Sequence, residues 1–113
     1  MSLADRECAA GDTGHERLGA EQQTRLGSEV PGWEVVEDHH LERVWTFPDF
    51  QTALDFVVVV GAEAEAQDHH PELRLTWGRV LIRIFTHDVG GLSEADFILA
   101  ARIDRLAAAS SGS

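Results

Sequence analysis

The spacing of apolar residues changes several times along the chain, and each change marks an element. Leu18 and Leu26 give a thin apolar stripe to a polar run, which predicts a short helix from about Ala20 to Leu26. Gly27 stops it and Pro31-Gly32 breaks the chain. From Trp33 to Glu37 the period falls to two, a strand with its apolar content split between faces. Asp38-His39-His40 reads as a polar turn, and Leu41 to Thr46 as the returning strand. Phe50, Ala53, Leu54, Val57, Gly61 and Ala64 then follow at helical spacing, predicting a helix from about Pro48 to Gln67. Val57 to Val60 argue locally for a strand. The length, a cap at Thr46 with Asp49 at the third helical position, and the Ala/Glu-rich second half outweigh a propensity cost of roughly a few tenths of a kcal/mol per valine. With valine on every side, this helix is expected to be covered nearly all round, in part by another subunit.

After Pro71 the period returns to two. Glu72 to Trp77 and Val80 to His87 predict a hairpin with Gly78-Arg79 as its turn. That register sets Trp77 opposite Val80, Leu75 opposite Ile82 and Leu73 opposite Ile84, all on one face. The other face pairs Thr76 with Leu81, Arg74 with Arg83 and Glu72 with Phe85, and His70 comes opposite His87. A slip of one residue would mix the faces. Arg74 against Arg83 is a repulsive pair that the register leaves to solvent, to Glu72 or to a ligand. Val89-Gly90-Gly91-Leu92 is a loop, and Ser93 with Asp96 forms a capping box for a last helix. Ala95, Ile98, Leu99, Ile103 and Leu106 make its buried stripe.

Composition narrows the class. The chain has 113 residues, of which 43% are apolar, enough for one domain. Residues 1–16 and 109–113 are small, polar and aperiodic, and are expected to be disordered tails around a folded unit of residues 17–108. No apolar run reaches the roughly 18 to 20 residues of a membrane span. No basic segment followed by an apolar block opens the chain, so no signal peptide is expected. A single cysteine, Cys8, can form no internal disulfide, which fits a reducing, cytoplasmic setting. Twenty acidic against nine basic residues give a formal charge of −11, which disfavours direct binding to nucleic acid.

The chemistry-bearing residues cluster around Glu65-Ala66-Gln67-Asp68-His69-His70-Pro71, with His87 downstream. The functional reading is one site, with Glu65 holding an imidazole. The plain alternative is a solvent-facing histidine pair and an ordinary glutamate. Zinc held by His69, His70 and His87 is a sharper rival. It is disfavoured because neighbouring side chains in extended backbone point to opposite faces. His39-His40 reads as a polar turn, having no third ligand near it in sequence.

Taken together, Glu65, His69-His70-Pro71, Trp77, His87 and Asp96, at this spacing, resemble the signature of the pterin-4a-carbinolamine dehydratase family. Pro31-Gly32-Trp33, Thr86-His87 and Gly91-Leu92-Ser93-Glu94-Ala95-Asp96 extend the likeness over about Leu18 to Leu106. Gly19 stands where members usually have a serine, and Leu73 where several have an aromatic. The resemblance implies an α+β fold of order α-β-β-α-β-β-α, a four-stranded antiparallel sheet covered by three helices on one face. It implies dehydration of a 4a-hydroxytetrahydropterin to a quinonoid dihydropterin, in tetrahydropterin recycling, with no metal or organic cofactor. His69 and His87 would move protons, His70 would bind and orient the pterin, and Glu65 would fix a tautomer. Asp68, Trp77, Thr86 and Asp96 would complete the substrate site. It also implies a homodimer or homotetramer, and an aromatic amino acid hydroxylase as partner in the same pathway. Relatives of the fold serve instead as dimerisation cofactors for a transcription factor or as assembly chaperones.

Overall fold

The structure, a computed structural model, describes residues 3–6 and 16–110. Cys8 and residues 111–113 lie outside that range. The element order is α1 (Ala20–Gly27), β1 (Glu34–Val36), β2 (His40–Thr46), α2 (Phe50–Gln67), β3 (Glu72–Thr76), β4 (Arg79–Ile84) and α3 (Glu94–Ser110). The four strands form one antiparallel sheet in the order β1-β2-β4-β3. The three helices cover one face of it, as expected. Among the described residues no helix is long and apolar enough to cross a membrane.

The helix ends show where local chemistry decides. Gly19 has no side chain with which to cap α1, but Gln22 Oε1 reaches back to its N–H at 3.2 Å. α2 starts two residues later than expected, and its cap is Asp49 rather than Thr46. The Asp49 carboxylate accepts the Thr52 N–H at 2.7 Å, an acceptor with more charge than a threonine hydroxyl offers. That hydrogen bond holds the Asp49 carboxyl below its usual range. The four valines are helical, as the length and composition require. Val60 is fully buried, whereas Val58 and Val59 are 62% and 37% exposed, so within one chain α2 is not covered all round.

The hairpin corrects the expected register by two residues. Thr76 pairs with Arg79, Leu75 with Val80, Leu73 with Ile82 and Glu72 with Arg83. The turn is therefore Trp77-Gly78. A shift of two preserves both faces, so the apolar pattern could exclude an odd slip but not an even one. Two interactions decide it. Arg83 now faces Glu72 in place of Arg74, and its Nε–H donates to Glu42 on β2 at 3.0 Å. Phe47 N–H donates to Gly78 O at 2.7 Å, and a Cβ on Gly78 would lie 2.5 Å from Phe47 O. Glycine is thus needed at the second turn position, which leaves Trp77 the left-handed backbone at φ 38°.

Leu41, Val80, Ile82 and Ile84 lie fully buried under Leu26 of α1, Ala53, Phe56 and Val60 of α2, and Ile98, Leu99 and Ile103 of α3. Leu73 and Leu75 pack against this core half-buried. Phe97 and Ala100 join the expected stripe of α3, and Leu106 is half-buried at its edge. Trp33 Nε1–H and Arg43 Nη1–H both donate to Asp104 Oδ1, at 2.8 and 3.1 Å, tying the sheet to α3. Burial pushes the Asp104 carboxyl above its usual range, against the lowering effect of those two donors.

Described residues near both termini lie in helical structure. Leu3–Asp5 forms a 3-10 turn within the segment expected to be disordered, and Leu3 is only 1% exposed. A lone leucine in a polar run carries no period, so nothing local announces that it docks. Ala109 and Ser110, expected in the C-terminal tail, continue α3. The core predicts its own test. Ile82→Ala should cost about 2 to 5 kcal/mol, read as a lower urea midpoint, because the side chain is wholly buried beneath three helices.

Candidate active site

α2 ends by a left-handed residue. Asp68 takes φ 53° and donates its N–H to Glu65 O at 3.2 Å, while His69 N–H donates to Ala64 O at 3.1 Å. These paired bonds satisfy the last carbonyls of the helix and turn the chain sharply. Pro71 then holds the backbone extended into β3. The result splits the two histidines. His69 turns inward, 8% exposed, with Nε2 2.6 Å from Asp96 Oδ1. His70 stays outside, with Nε2 2.9 Å from Glu65 Oε1. The left-handed residue is what brings Glu65 within reach of a partner five positions on.

Asp96 is completely buried in the first turn of α3. Its Oδ2 accepts the Ser93 N–H and the Thr86 hydroxyl, each at 2.8 Å. Only half of the expected capping box is present. The Ser93 hydroxyl, instead of capping the helix, donates to Thr86 Oγ1 at 2.8 Å, because Thr86 has spent its own proton on Asp96. Thr86 is also tied through the backbone, its N–H donating to Gly91 O at 2.8 Å.

Between Thr86 and Gly91 the chain makes a 3-10 turn, His87–Val89, closed by Gly90 at φ 63°. His87 was expected to close a strand opposite His70. Instead β4 ends at Ile84, and the observed register carried past Glu72–Arg83 sets His70 beside Phe85. His87 is exposed, and its ring centroid lies 4.4 Å from that of Phe85.

His69 to Pro71 precede β3, and Thr86 and His87 follow β4, at the same end of the antiparallel pair. Glu65, His69, His70, Thr86, His87 and Asp96 therefore gather at one end of the sheet. Asp68 sits exposed at the bend between Glu65 and His69. Trp77 does not join them. It stands 68% exposed at the hairpin turn, at the opposite end of β3. Its place in the resemblance rests on spacing, and spacing carries it away from the histidines.

Two neighbours of the site went unread. The Ser93 hydroxyl gave no signal beyond its capping role. Phe85 could have been noticed as the residue two before His87, on the same side of an extended chain. His39 closes the turn between β1 and β2 and His40 opens β2, at the same end of the sheet. Their Nδ1 atoms are 3.0 Å apart, and the His39 ring lies 4.5 Å from Phe85. Arg17 bridges that turn to the loop after His87, donating from Nη2 to Asp38 O at 2.8 Å and from Nη1 to Gly90 O at 3.0 Å. Gln23 and then Arg17 hold the Asp38 carboxyl below its usual range. Among the described residues no three histidine, cysteine or carboxylate side chains converge as metal ligands would.

Comparison with known proteins shows the family. The profile of the family described as Pterin 4 alpha carbinolamine dehydratase matches residues 16–106. A Rubrobacter xylanophilus protein that carries pterin-4-alpha-carbinolamine dehydratase as a provisional name is 49% identical over 104 residues, covering 92% of this chain and 97% of its own. An Alkaliphilus metalliredigens protein with the same provisional name is 41% identical over 92% of this chain and 95% of its own. Among solved structures, a Brucella melitensis protein titled transcriptional coactivator/pterin dehydratase superposes with a TM-score of 0.77 at 30% identity, over 81% of this chain and 99% of that one. A pterin dehydratase-like protein described as a RuBisCO assembly factor shares the fold, with a TM-score of 0.59 at 21% identity, over 83% of this chain and 96% of that one. With a family profile spanning nearly the whole folded unit and relatives matched along almost their entire length, this chain belongs to the pterin 4 alpha carbinolamine dehydratase family.

Proposed function

We propose that this chain dehydrates a 4a-hydroxytetrahydropterin to the quinonoid dihydropterin, with histidines as acid and base. The observation that carries the reading is the Glu65–His70 pair, exposed at the same end of the sheet as an exposed His87. The reaction breaks one carbon–oxygen bond. The hydroxyl leaves with an added proton as water, and the adjacent ring nitrogen gives up a proton as the double bond forms. Imidazole suits both transfers, because its unperturbed pKa of about 6.5 lies close to working pH.

The contacts of the histidines support a different division of roles. His69, expected to move protons, has its Nε2 committed to buried Asp96 at 2.6 Å. We assign it to anchoring. His70 and His87, both accessible, are the proton-transfer pair, and Glu65 orients His70 and fixes its tautomer. Thr86, Asp68 and Asp96 shape the substrate site, Asp96 through His69 and Thr86. The pathway setting is tetrahydropterin recycling beside an aromatic amino acid hydroxylase, in the cytoplasm.

A second reading is a binding protein on the same scaffold, a transcription-factor dimerisation cofactor or an assembly chaperone. The exposed Phe50, Val58 and Val59 of α2 favour it. The retained Glu65–His70 pair and His87 favour the enzyme, since a docking scaffold requires none of these side chains.

A dehydratase assay on the purified protein, corrected for spontaneous dehydration, separates the readings. His70→Ala and His87→Ala should each lower kcat by on the order of 10² to 10⁴. The double substitution should fall well short of the product of the two singles. Glu65→Gln should be milder, since it keeps an acceptor and loses the charge. If all three single variants remain folded and fully active, this constellation is not the active site, and the binding reading leads.

His69→Ala should differ in kind. By removing one partner of a fully buried carboxylate it should cost about 1.5 to 3 kcal/mol of stability, visible in the thermal midpoint as well as in turnover. An unchanged midpoint would remove the anchoring role.

The open face of α2 also calls for a partner, and we propose at least a homodimer. Sedimentation should show no stable monomer at micromolar concentration.

A further inference from the structure

Two of the three histidines at the site are held by carboxylates, His69 by Asp96 and His70 by Glu65. His87 is not. Among the described residues no side chain hydrogen-bonds its imidazole, and its backbone lies in a three-residue 3-10 turn. An exposed imidazole so placed can adopt several rotamers, whereas proton transfer needs one. What meets the ring is Phe85, with centroids 4.4 Å apart and planes at 53°, an inclined aromatic contact.

Phe85 is itself fixed. Its ring meets His39 at 4.5 Å and 38°. His39 belongs to the turn between β1 and β2, and Arg17 ties that turn, through Asp38 O, to the loop of His87, through Gly90 O. The contacts therefore close a circuit: His87, Phe85, His39, the turn, Arg17 and the loop that carries His87. Neither sequence spacing nor the division of acid and base roles accounts for this stack.

We propose that Phe85, backed by His39, is the positioning residue for His87, holding the imidazole in the orientation in which it exchanges a proton with the substrate. The inference rests on the reading of His87 as a proton-transfer group. Phe85 acts through His87 and is not itself catalytic.

The full chain is compared with F85L, F85Y and H39A by two measurements. One is the proton–carbon NMR spectrum of the histidine rings, with the His87 signals identified by their loss in H87Q. The other is steady-state dehydration, corrected for the spontaneous rate. A phenyl ring this close shifts the His87 ring protons. F85L should move those signals and lower kcat by roughly 10- to 100-fold while leaving KM within about 2-fold. F85Y keeps an aromatic ring and should restore both. H39A should move the His87 signals in the same direction by less. Unmoved His87 signals in F85L, an unchanged kcat once they have moved, or an F85Y as impaired as F85L would each overturn the proposal. If F85L does not fold, unmoved His87 signals in H39A overturn it. A wild-type chain with no activity above the spontaneous rate sinks the dehydratase reading, while the ring signals still decide whether Phe85 holds His87.

Discussion

One buried carboxylate joins three separate segments of this molecule. Asp96 stands in the first turn of α3, where the helix dipole favours negative charge. Burying a carboxylate is costly unless its oxygens are met by donors. Here they are met from three directions, by the Ser93 N–H, the Thr86 hydroxyl and His69. These partners come from the lead-in to α3, the chain after β4 and the bend after α2. Satisfying one charge thus fixes three segments at one end of the sheet.

That arrangement explains why adjacent histidines lead different lives. Asp68 in left-handed backbone ends α2 and redirects the chain, so that one imidazole enters the protein and the next leaves it. The inward one is consumed by Asp96. The outward one keeps a water-facing edge beside Glu65, whose position in the last turn of a helix is unfavourable for a carboxylate by roughly 0.3 to 1 kcal/mol. A neighbouring imidazole is a compensating reason for a glutamate to stand there.

Much of this was legible in the chain. Period two and period 3.6 marked every strand and helix of the sheet layer, including the α2 valines, where length and composition outweighed propensity. Glu65, His69, His70 and His87 declared themselves by type and closeness. What stayed hidden was whatever depended on a partner far away in sequence. Asp96 looked finished as half of a capping box, because nothing local shows that His69, 27 residues earlier, also needs it. Trp77 continued an alternating pattern and so read as strand. The turn is set by the close approach of Gly78 to Phe47, from another part of the chain. Phe85 read as one more outward strand position, since its neighbours His39 and His87 meet it only once two loops are folded.

The hairpin has a consequence for how its strands are aligned. Two registers, one shifted by a pair of residues, keep Leu73, Leu75, Val80, Ile82 and Ile84 on one face, so the apolar pattern of the strands alone does not choose between them. The choice falls to Arg83, which trades Arg74 for Glu72 opposite it and gains Glu42 beside it, and to the contact between Gly78 and Phe47. Glu42 and Phe47 both lie outside the hairpin. The pairing of β3 with β4 therefore depends on β2 and the residue that follows it, and not on the hairpin alone.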